Sequence, residues 1–303
     1  MLELSSSITV PGQGVLFTLA NLHEGKSYIK RDGMLFEYSQ PLTRPVNPDD
    51  LPTDGEVITV LAKQMGRVLL MKDYSYISKT GRSVRPSEAE AMRLVEKHTL
   101  VPVPNVIYAL FNDTNGDIGM TIIPGSSLDK HWESLDDKTK QSLCRRTWDL
   151  ISMIRQIPQK PELKHLFQCA ADGSPTLDPL IQDIQQPPTP LETDSQLRSR
   201  IYERYIRYGG SCYRDQLLDM LPHSSSSVFT HADIAPRNIM VDENYQIAGL
   251  LDWEYSGWYP DYWEYAQIMR PACQTSDWQS WMNATAPQKW DISGIAAARR
   301  ILF

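Results

Sequence analysis

Three polar side chains, Asp233, Asn238 and Asp252, accompany short apolar runs in one stretch of the chain. Asp233 and Asn238 lie in a loop between two such runs, and Asp252 follows a further run at residues 247–251. A turn at residues 242–244 precedes that last run, so the pattern predicts a strand–turn–strand hairpin. Such a hairpin brings Asp252 back beside Asn238, although the two residues are not neighbours in sequence.

These three side chains are the ones that phosphoryl transfer from a nucleotide needs. One carboxylate takes the proton of the acceptor hydroxyl, while an amide and a second carboxylate hold the magnesium ion that bridges the phosphates. Magnesium prefers hard oxygen ligands and keeps phosphate and water oxygens around it. We therefore expect Asp233 to act as the catalytic base, and Asn238 and Asp252 to bind Mg²⁺.

The spacing around these residues is also that of a known type of loop. His231, Asp233 and Asn238 have the spacing of the kinase catalytic loop, and the Asp-Trp-Glu of residues 252–254 stands where protein kinases carry Asp-Phe-Gly. The alternative is that these residues are turn formers between strands. Either pattern alone favours that alternative, whereas both together, in the correct order, favour the catalytic interpretation.

Residues 229–242 and 251–265 resemble the catalytic loop and the metal-binding segment of the aminoglycoside phosphotransferase and choline kinase-like family, in particular its fungal branch. The resemblance extends over residues 86–271 and is weak before residue 57. It implies an α+β, protein-kinase-like two-lobed fold. The N-lobe would be a small antiparallel sheet, the C-lobe would be mainly helical, and ATP would be the phosphate donor.

The same resemblance divides the chain into three parts. Residues 51–122 are expected to form the small nucleotide-binding lobe, and residues 123–303 the large helical lobe with the catalytic loop and the acceptor site. Residues 1–50 are expected to be a poorly defined N-terminal extension. Four prolines within residues 41–52 predict a linker, because proline lacks the amide hydrogen that regular ladders need.

Two charged residues of the small lobe are candidates for the phosphate site. Lys72 ends a predicted strand at residues 67–72, where the resemblance places the phosphate-contacting lysine. Glu88 lies near the start of a predicted helix at residues 86–97, and the family register selects it over Glu90 as the partner of Lys72. The alternatives are a solvated lysine at a strand end and a first-turn acid that the helix dipole favours.

The segment at residues 120–125 resembles the hinge between the two lobes. The resemblance implies that the backbone groups of Thr121 and Ile123 meet the adenine edge. Gly125 then permits a sharp turn out of the strand, since glycine adopts conformations that other residues avoid. Because this site uses the main chain, the types of its side chains carry little information about it.

An aromatic segment follows Asp252. Its tryptophans Trp253, Trp258 and Trp263 have large apolar areas that suit burial in the core of the large lobe. The alternative is an aromatic wall beside the acceptor, with acids such as Glu264 close to it. We favour burial for the three tryptophans.

Three departures from the protein-kinase pattern bear on function. No Gly-x-Gly-x-x-Gly run precedes Lys72, Ala232 replaces the arginine of regulated protein kinases, and no Ala-Pro-Glu segment follows Asp252. The last two favour a small-molecule acceptor, so the leading hypothesis is an ATP- and Mg²⁺-dependent small-molecule kinase. The missing glycine run favours the alternative of a degenerate kinase-fold binding protein. A protein kinase or a partner-regulated scaffold is the third hypothesis.

Composition limits the remaining possibilities. The net charge of −7 argues against a nucleic-acid surface, and no apolar run is long enough to span a membrane. Four scattered cysteines indicate neither a zinc site nor a disulfide framework, and the N-terminal residues lack a secretory signal, so we expect a cytoplasmic protein. Aminoglycosides, choline-like amines, sugars and fungal metabolites all remain candidate acceptors, because the catalytic frame handles phosphate. The oligomeric state stays open.

Overall fold

The computed structural model describes residues 14–38, 55–64, 66–185, 187–270 and 276–302. These residues form two compact units. The first unit extends to Arg85 and resumes over Val106–Ile122, while the second contains Pro86–Asn105 and continues from Ile123 onward. The last crossing between the units therefore falls within the predicted hinge. The linker predicted at residues 41–52 lies outside the described residues.

An antiparallel sheet of eight strands forms the first unit. Its strands are β1 (Val15–Leu16), β2 (Ser27–Arg31), β3 (Met34–Tyr38), β4 (Glu56–Gln64), β5 (Arg67–Lys72), β6 (Tyr76–Gly81), β7 (Val106–Phe111) and β8 (Gly116–Met120). They pair in the order β1-β3-β2-β4-β5-β6-β8-β7, so β4, β5 and β6 form a meander that ends beside β8. Successive side chains point to opposite faces of a strand. Ile58 and Val60 are therefore buried in one apolar cluster, and Val57 in another.

The two units differ from the predicted ranges in two places. Strands β1, β2 and β3, which belong to the predicted extension at residues 1–50, join the sheet of the first unit. Residues 86–105 belong to the second unit. There the backbone N–H of Leu250 donates a 2.9 Å hydrogen bond to the carbonyl of Pro102, which ties the segment after the first helix to the catalytic hairpin.

The second unit is mainly helical. Its described helices are α1 (Pro86–His98), α2 (Asp137–Ile154), α3 (Asp194–Arg207), α4 (Leu217–Met220), α5 (Trp263–Ile268), α6 (Trp278–Thr285) and α7 (Ser293–Leu302). Two small sheets accompany them, built from β9 (Ser126–Ser127), β10 (Cys169–Ala170), β11 (Ser227–Thr230), β12 (Ile239–Val241), β13 (Ile247–Leu250) and β14 (Gly257–Pro260). Helices α3, α4, α5 and α7 share one core, to which Tyr205, Leu217, Trp263 and Ile295 contribute buried side chains.

The described cysteines are free thiols. Cys144 and Cys169 are buried, Cys212 is exposed, and Cys273 lies outside the described residues. Burial raises the pKa of the Cys144 and Cys169 thiols to about 12, so both stay protonated at neutral pH. None of the described helices combines the length and the apolar character that a membrane span requires.

Candidate functional site

The hairpin predicted around Asn238 and Asp252 is present. Strands β12 and β13 pair antiparallel, with Ile239 opposite Leu250. The backbone N–H of Leu251 then donates a 2.8 Å hydrogen bond to the carbonyl of Asn238. Because Asp252 is the next residue, this bond places it beside Asn238, and the predicted proximity of these two residues is confirmed.

Asp233 lies buried at the start of the loop that leads into this hairpin. Its Oδ2 accepts hydrogen bonds from Arg237 Nη2 at 2.5 Å and from Asn238 Nδ2 at 3.0 Å. Its Oδ1 accepts one from Arg270 Nη2 at 2.7 Å. Two guanidinium groups and one amide thus hold the carboxylate in a single orientation, and charge-assisted bonds of this kind are among the strong ones in proteins.

Two hydrogen bonds that Nδ2 donates orient the side-chain amide of Asn238. Nδ2 donates to the backbone carbonyl of Asp233 at 2.9 Å, in addition to the carboxylate. Asn238 also ends a short 3-10 helix that begins at Pro236, and proline suits the first position of such a turn. Among the described residues no group donates a hydrogen bond to Asn238 Oδ1, so the lone pairs of this oxygen can bind a metal ion.

The two predicted metal ligands, Asn238 and Asp252, suit magnesium better than a metal ion whose ligands all come from the protein. Asp252 has a φ of +64°, a left-handed conformation that turns the chain sharply at the end of β13. The described part of the chain contains no cluster of three or more His, Cys, Asp or Glu side chains that could hold a metal ion. Mg²⁺ would not need such a cluster, because one or two protein oxygens suffice for it when nucleotide phosphates and water supply the other ligands.

His231 connects the catalytic loop to the metal segment. Its Nδ1 accepts a 3.2 Å hydrogen bond from the backbone N–H of Asp233, so Nε2 carries the proton and donates to the carbonyl of Leu251 at 3.0 Å. Burial lowers the pKa of His231, although the carboxylates of Asp233 and Asp252 act in the opposite direction. A neutral imidazole therefore links the segments that carry these two carboxylates.

Glu264 holds the backbone of the catalytic loop at His231 and Ala232. Its buried carboxylate accepts hydrogen bonds from the backbone N–H of His231 at 2.7 Å and of Ala232 at 3.1 Å. Ala232 has a φ of +66°, which a residue with a side chain adopts only when its surroundings hold it there. The sequence suggested Glu264 only as an acid beside the acceptor. The sequence carries no local signal for this role, because Glu254 and Asp261 are acids of the same aromatic segment.

The three tryptophans of the aromatic segment are buried, as predicted. Trp253, Trp258 and Trp263 are all close to fully inaccessible. The ring of Trp253 lies 4.4 Å from that of His231, centroid to centroid, and its indole N–H donates to the carbonyl of Leu250 at 2.9 Å. The Trp253 side chain thus contacts both His231 of the catalytic loop and the end of β13.

In the first unit, Lys72 lies at the end of β5. Its Nζ is 3.4 Å from Glu56 Oε1, so Glu56 is its ion-pair partner within this unit. The predicted pairing of Lys72 with Glu88 stays a prediction. Glu88 is only 3% exposed, whereas Glu90 is half-buried and pairs with Lys160 Nζ at 2.7 Å. The selection of Glu88 over Glu90 likewise stays a prediction.

A second lysine, which sequence reasoning missed, lies on the next strand. Lys79 is on β6, is 4% exposed, and stands opposite Ile118 of β8. Lys72 stands opposite Tyr76 of the same strand β6. Because side chains alternate along a strand, Lys72 and Lys79 project to opposite faces of the sheet. No strand was predicted at residues 76–81, so the only signal in the sequence was a lysine shortly before the helix that carries Glu88.

The predicted hinge contains the turn that glycine was expected to make. Thr121 precedes the crossing between the units and Ile123 follows it. Gly125 has a φ of +101°, and a Cβ at this position would lie 2.1 Å from the carbonyl oxygen of Val241. Only glycine allows so close an approach, so this residue lets the chain pair with β12 immediately after the hinge.

A sequence model of the phosphotransferase enzyme family matches residues 64–286, which is more than half of the 303 residues. A search of curated proteins finds no match. Among solved structures, aminoglycoside phosphotransferase APH(2'')-Ib bound to ADP is similar, with 12% identity, 80% of each chain covered and a TM-score of 0.54. Aminoglycoside-3'-phosphotransferase of type VIII shares 13% identity over 81% of this chain and 93% of its own, with a TM-score of 0.52.

A third solved structure, macrolide 2'-phosphotransferase type I, shares 14% identity over 81% of each chain, with a TM-score of 0.51. Likeness at this level of identity concerns the fold. The predicted α+β, protein-kinase-like fold, with a small antiparallel-sheet lobe and a mainly helical lobe, is confirmed by these similarities.

Proposed function

Because the chain belongs to the phosphotransferase enzyme family, we propose that it transfers the γ-phosphate of ATP to a hydroxyl group of a small molecule, with Mg²⁺ as the required ion. The observation that carries this proposal is the arrangement of Asp233, Asn238 and Asp252 on one hairpin and its loop. We further propose a cytoplasmic location and no nucleic-acid or membrane partner.

Asp233 is the catalytic base in this proposal. The acceptor hydroxyl gives its proton to Asp233, its oxygen forms a bond to the γ-phosphorus, and the bond from that phosphorus to the β–γ bridging oxygen breaks. ADP then leaves. Asp233 Oδ2 already accepts two hydrogen bonds and Oδ1 accepts one, so Oδ1 is the oxygen with room for the acceptor proton.

Asn238 and Asp252 hold the magnesium ion. The ion neutralises the charge that accumulates on the phosphate oxygens during the transfer. Asn238 contributes Oδ1, which its hydrogen-bonded Nδ2 orients, and Asp252 contributes its carboxylate. His231 keeps the two segments at a fixed separation through its bonds to both of them.

Lys79, Lys72 and Glu88 are the candidates for the phosphate site of the nucleotide. We favour Lys79 over the sequence-based choice of Lys72 for two reasons. Lys79 is buried on the last strand of the meander, next to β8, which leads into the hinge, and a buried ammonium requires a partner. Lys72 is occupied by Glu56. The backbone groups of Thr121 and Ile123 are proposed to bind the adenine edge.

ATP as donor is supported by the nucleotide of a relative with the same fold. The similar structure of APH(2'')-Ib contains ADP, the product of transfer from ATP. A small-molecule acceptor is supported by the absence of the protein-kinase features at Ala232 and after Asp252. The similar aminoglycoside and macrolide phosphotransferases are named for small-molecule substrates.

One observation favours a second candidate, a kinase-fold binding protein without catalysis. The connection between β4 and β5 comprises only two residues of the sequence, Met65 and Gly66. A connection of this length is too short to wrap the phosphates as a glycine-rich loop does. Such a protein would bind a small molecule in the large lobe and turn over no ATP.

Calorimetry with Mg·ATP, followed by an ADP-release assay against a panel of small alcohols, tests the proposal. We expect nucleotide binding that requires Mg²⁺, and ADP release that depends on one class of alcohol. Binding of small molecules without ADP release from any of them would favour the second candidate. Incorporation of phosphate into added proteins would contradict both.

A further inference from the structure

The carboxylate of Asp233 is flanked by two arginines that remain partly exposed. The side chains of Arg237 and Arg270 are 53% and 42% exposed, while that of Asp233 is 7% exposed. A small molecule that approaches the carboxylate from solvent therefore meets guanidinium groups first. This arrangement bears on the chemical class of the acceptor, and assigning that class rests on the proposed function of Asp233 as base.

Arg270 is the arginine nearest to the reacting oxygen. Its Nη2 is 2.7 Å from Asp233 Oδ1, the oxygen with room for the acceptor proton, whereas Arg237 lies on Oδ2. A guanidinium group has five N–H donors. Among the described residues Asp233 is the only hydrogen-bond partner of the Arg270 guanidinium, so further donors are available next to the place where the acceptor hydroxyl must lie.

The charge around Asp233 is positive on the exposed side. Two arginines face one carboxylate, which leaves one positive charge in excess. Two other acids near these arginines, Glu264 and Asp178, are buried and already hydrogen-bonded: Glu264 accepts the backbone N–H groups of the catalytic loop, and Asp178 accepts a hydrogen bond from the side chain of Gln267. Asp252 is half-buried and is assigned to the metal ion in the proposed function. An ammonium group that approaches Asp233 from solvent meets two exposed guanidinium groups, which repel it.

We propose that the acceptor is a hydroxy acid, whose carboxylate binds Arg270 while its hydroxyl donates to Asp233 Oδ1. A planar carboxylate matches the donor fork of a guanidinium group and can form two parallel hydrogen bonds with it. With both partners at hydrogen-bonding distance, the hydroxyl and the carboxylate of the acceptor lie no more than about 8 Å apart. A single small molecule can therefore carry both groups.

Acceptor binding also frees the base in this proposal. Without an acceptor, Arg270 occupies Asp233 Oδ1, and the acceptor carboxylate then takes the place of Asp233 as the partner of Arg270. The exchange keeps the guanidinium paired while it exposes Oδ1 to the hydroxyl. A neutral alcohol provides no replacement partner, so Arg270 would stay on Asp233 Oδ1 and compete with the alcohol hydroxyl for that oxygen.

Competition among three probes of similar size tests the charge preference. Gluconate, sorbitol and glucosamine each have six carbons and several hydroxyl groups, and they differ in charge. Saturation-transfer NMR on the wild-type protein with Mg·ADP should detect gluconate binding and little binding of the other two. The gluconate dissociation constant should rise about tenfold in Arg270→Gln, because a charge-assisted hydrogen-bond pair is lost.

Two further variants keep the test falsifiable. Arg237→Gln, on the other carboxylate oxygen, should weaken gluconate binding by less than tenfold. If Arg270→Gln fails to fold, a loss of tenfold or more in Arg237→Gln would assign the carboxylate to Arg237 and overturn the proposal. Arg145→Gln, at an exposed position on α2, is the matched control and should leave gluconate binding unchanged. Binding of glucosamine or sorbitol as tight as that of gluconate, binding of none of the probes, or equal gluconate binding in wild type and Arg270→Gln overturns the proposal.

Arg270 could also bind the γ-phosphate of ATP, because a phosphate is an oxyanion like a carboxylate. A change of nucleotide distinguishes these two ligands of Arg270. If Arg270 binds the acceptor, gluconate should bind equally well with Mg·ADP and with the non-hydrolysable analogue Mg·AMP-PNP. Displacement of gluconate by Mg·AMP-PNP, together with weaker binding of this analogue in Arg270→Gln, would assign Arg270 to the phosphate and overturn the proposal. If gluconate binds in an Arg270-dependent manner but no nucleotide binds, the carboxylate site at Arg270 is supported and the proposed phosphotransferase function is wrong.

Discussion

Glu264 accepts a 2.7 Å hydrogen bond from the backbone N–H of His231, so a residue of α5 holds the main chain of the catalytic loop. The same carboxylate accepts from Ala232, whose left-handed backbone turns Asp233 toward the site. Glu264 is far from the loop in sequence, and its side chain reaches none of the reacting atoms. It is therefore a positioning residue, and it is the first target for testing how the loop is built.

Replacing Glu264 should lower turnover without weakening nucleotide binding. Glu264→Ala leaves two buried N–H groups without acceptors, and displacement of a catalytic group by about 1 Å costs on the order of 100-fold in rate. Glu264→Gln keeps one acceptor oxygen, so its kcat should be intermediate. Steady-state kinetics should show the loss in kcat and not in KM for ATP, with the exposed Glu203→Gln as control. A rise in KM alone would contradict a positioning role.

The stability of the protein should depend on pH through Glu264. Burial raises the pKa of its carboxyl from 4.5 to about 7. A raised pKa means that the folded state holds the proton more tightly, so this contribution to stability is complete below pH 4.5 and is lost as the pH rises through 7. Relative to wild type, Glu264→Gln should therefore gain about 3 kcal/mol in free energy of unfolding over that range. Urea denaturation at both pH values measures it, and a constant difference would contradict it.

Asp233→Asn should abolish turnover while Mg·ATP still binds. The amide cannot take the proton of the acceptor hydroxyl, and loss of a general base costs on the order of 1,000-fold in rate. Asn238 and Asp252, which are proposed to hold the metal, remain in place. The ADP-release assay and calorimetry on the same preparation give both quantities. Turnover near that of wild type would exclude Asp233 as the base.

Asp252→Ala should remove the magnesium dependence of nucleotide binding. One of two protein ligands of the ion is lost, and Asn238 alone is a neutral ligand. Calorimetry with ATP in the presence of Mg²⁺ or EDTA compares the two states. Glu243→Ala is the matched control, because this exposed acid lies in the turn of the same hairpin. An equal effect of Mg²⁺ in wild type and Asp252→Ala would show that the metal site lies elsewhere.

We expect opposite results from replacing the two lysines of the first unit, Lys72 and Lys79. Lys79→Met should raise the KM for ATP about tenfold or lower kcat, because it removes a buried charge on the strand next to β8. Lys72→Met removes only the contact with Glu56, so its kinetics should stay close to those of wild type. Both residues lie in the same sheet, so each variant controls for the other. The reverse result would restore Lys72 as the phosphate-binding residue.

Residue types and short-range spacing were sufficient to predict the centre of the site. Asp233 and Asn238 are five residues apart in one loop, and the alternating apolar runs of β12 and β13 predict the hairpin that returns Asp252 to Asn238. These relationships depend on local backbone geometry, which the order of polar and apolar residues determines. The position of Gly125 at a sharp turn is local in the same sense, and it too was predicted.

The residues that hold and surround this centre were decided by the tertiary structure. Glu264 reaches His231 across 33 positions of sequence, and Arg270 reaches Asp233 across 37. Neither contact has a local signal, because a charged side chain in an aromatic or apolar segment has the same sequence pattern whether it faces solvent or a buried partner. The choice between Lys72 and Lys79 follows the same rule. Strand pairing determines which face of the sheet each lysine occupies, and that pairing exists only in the folded chain.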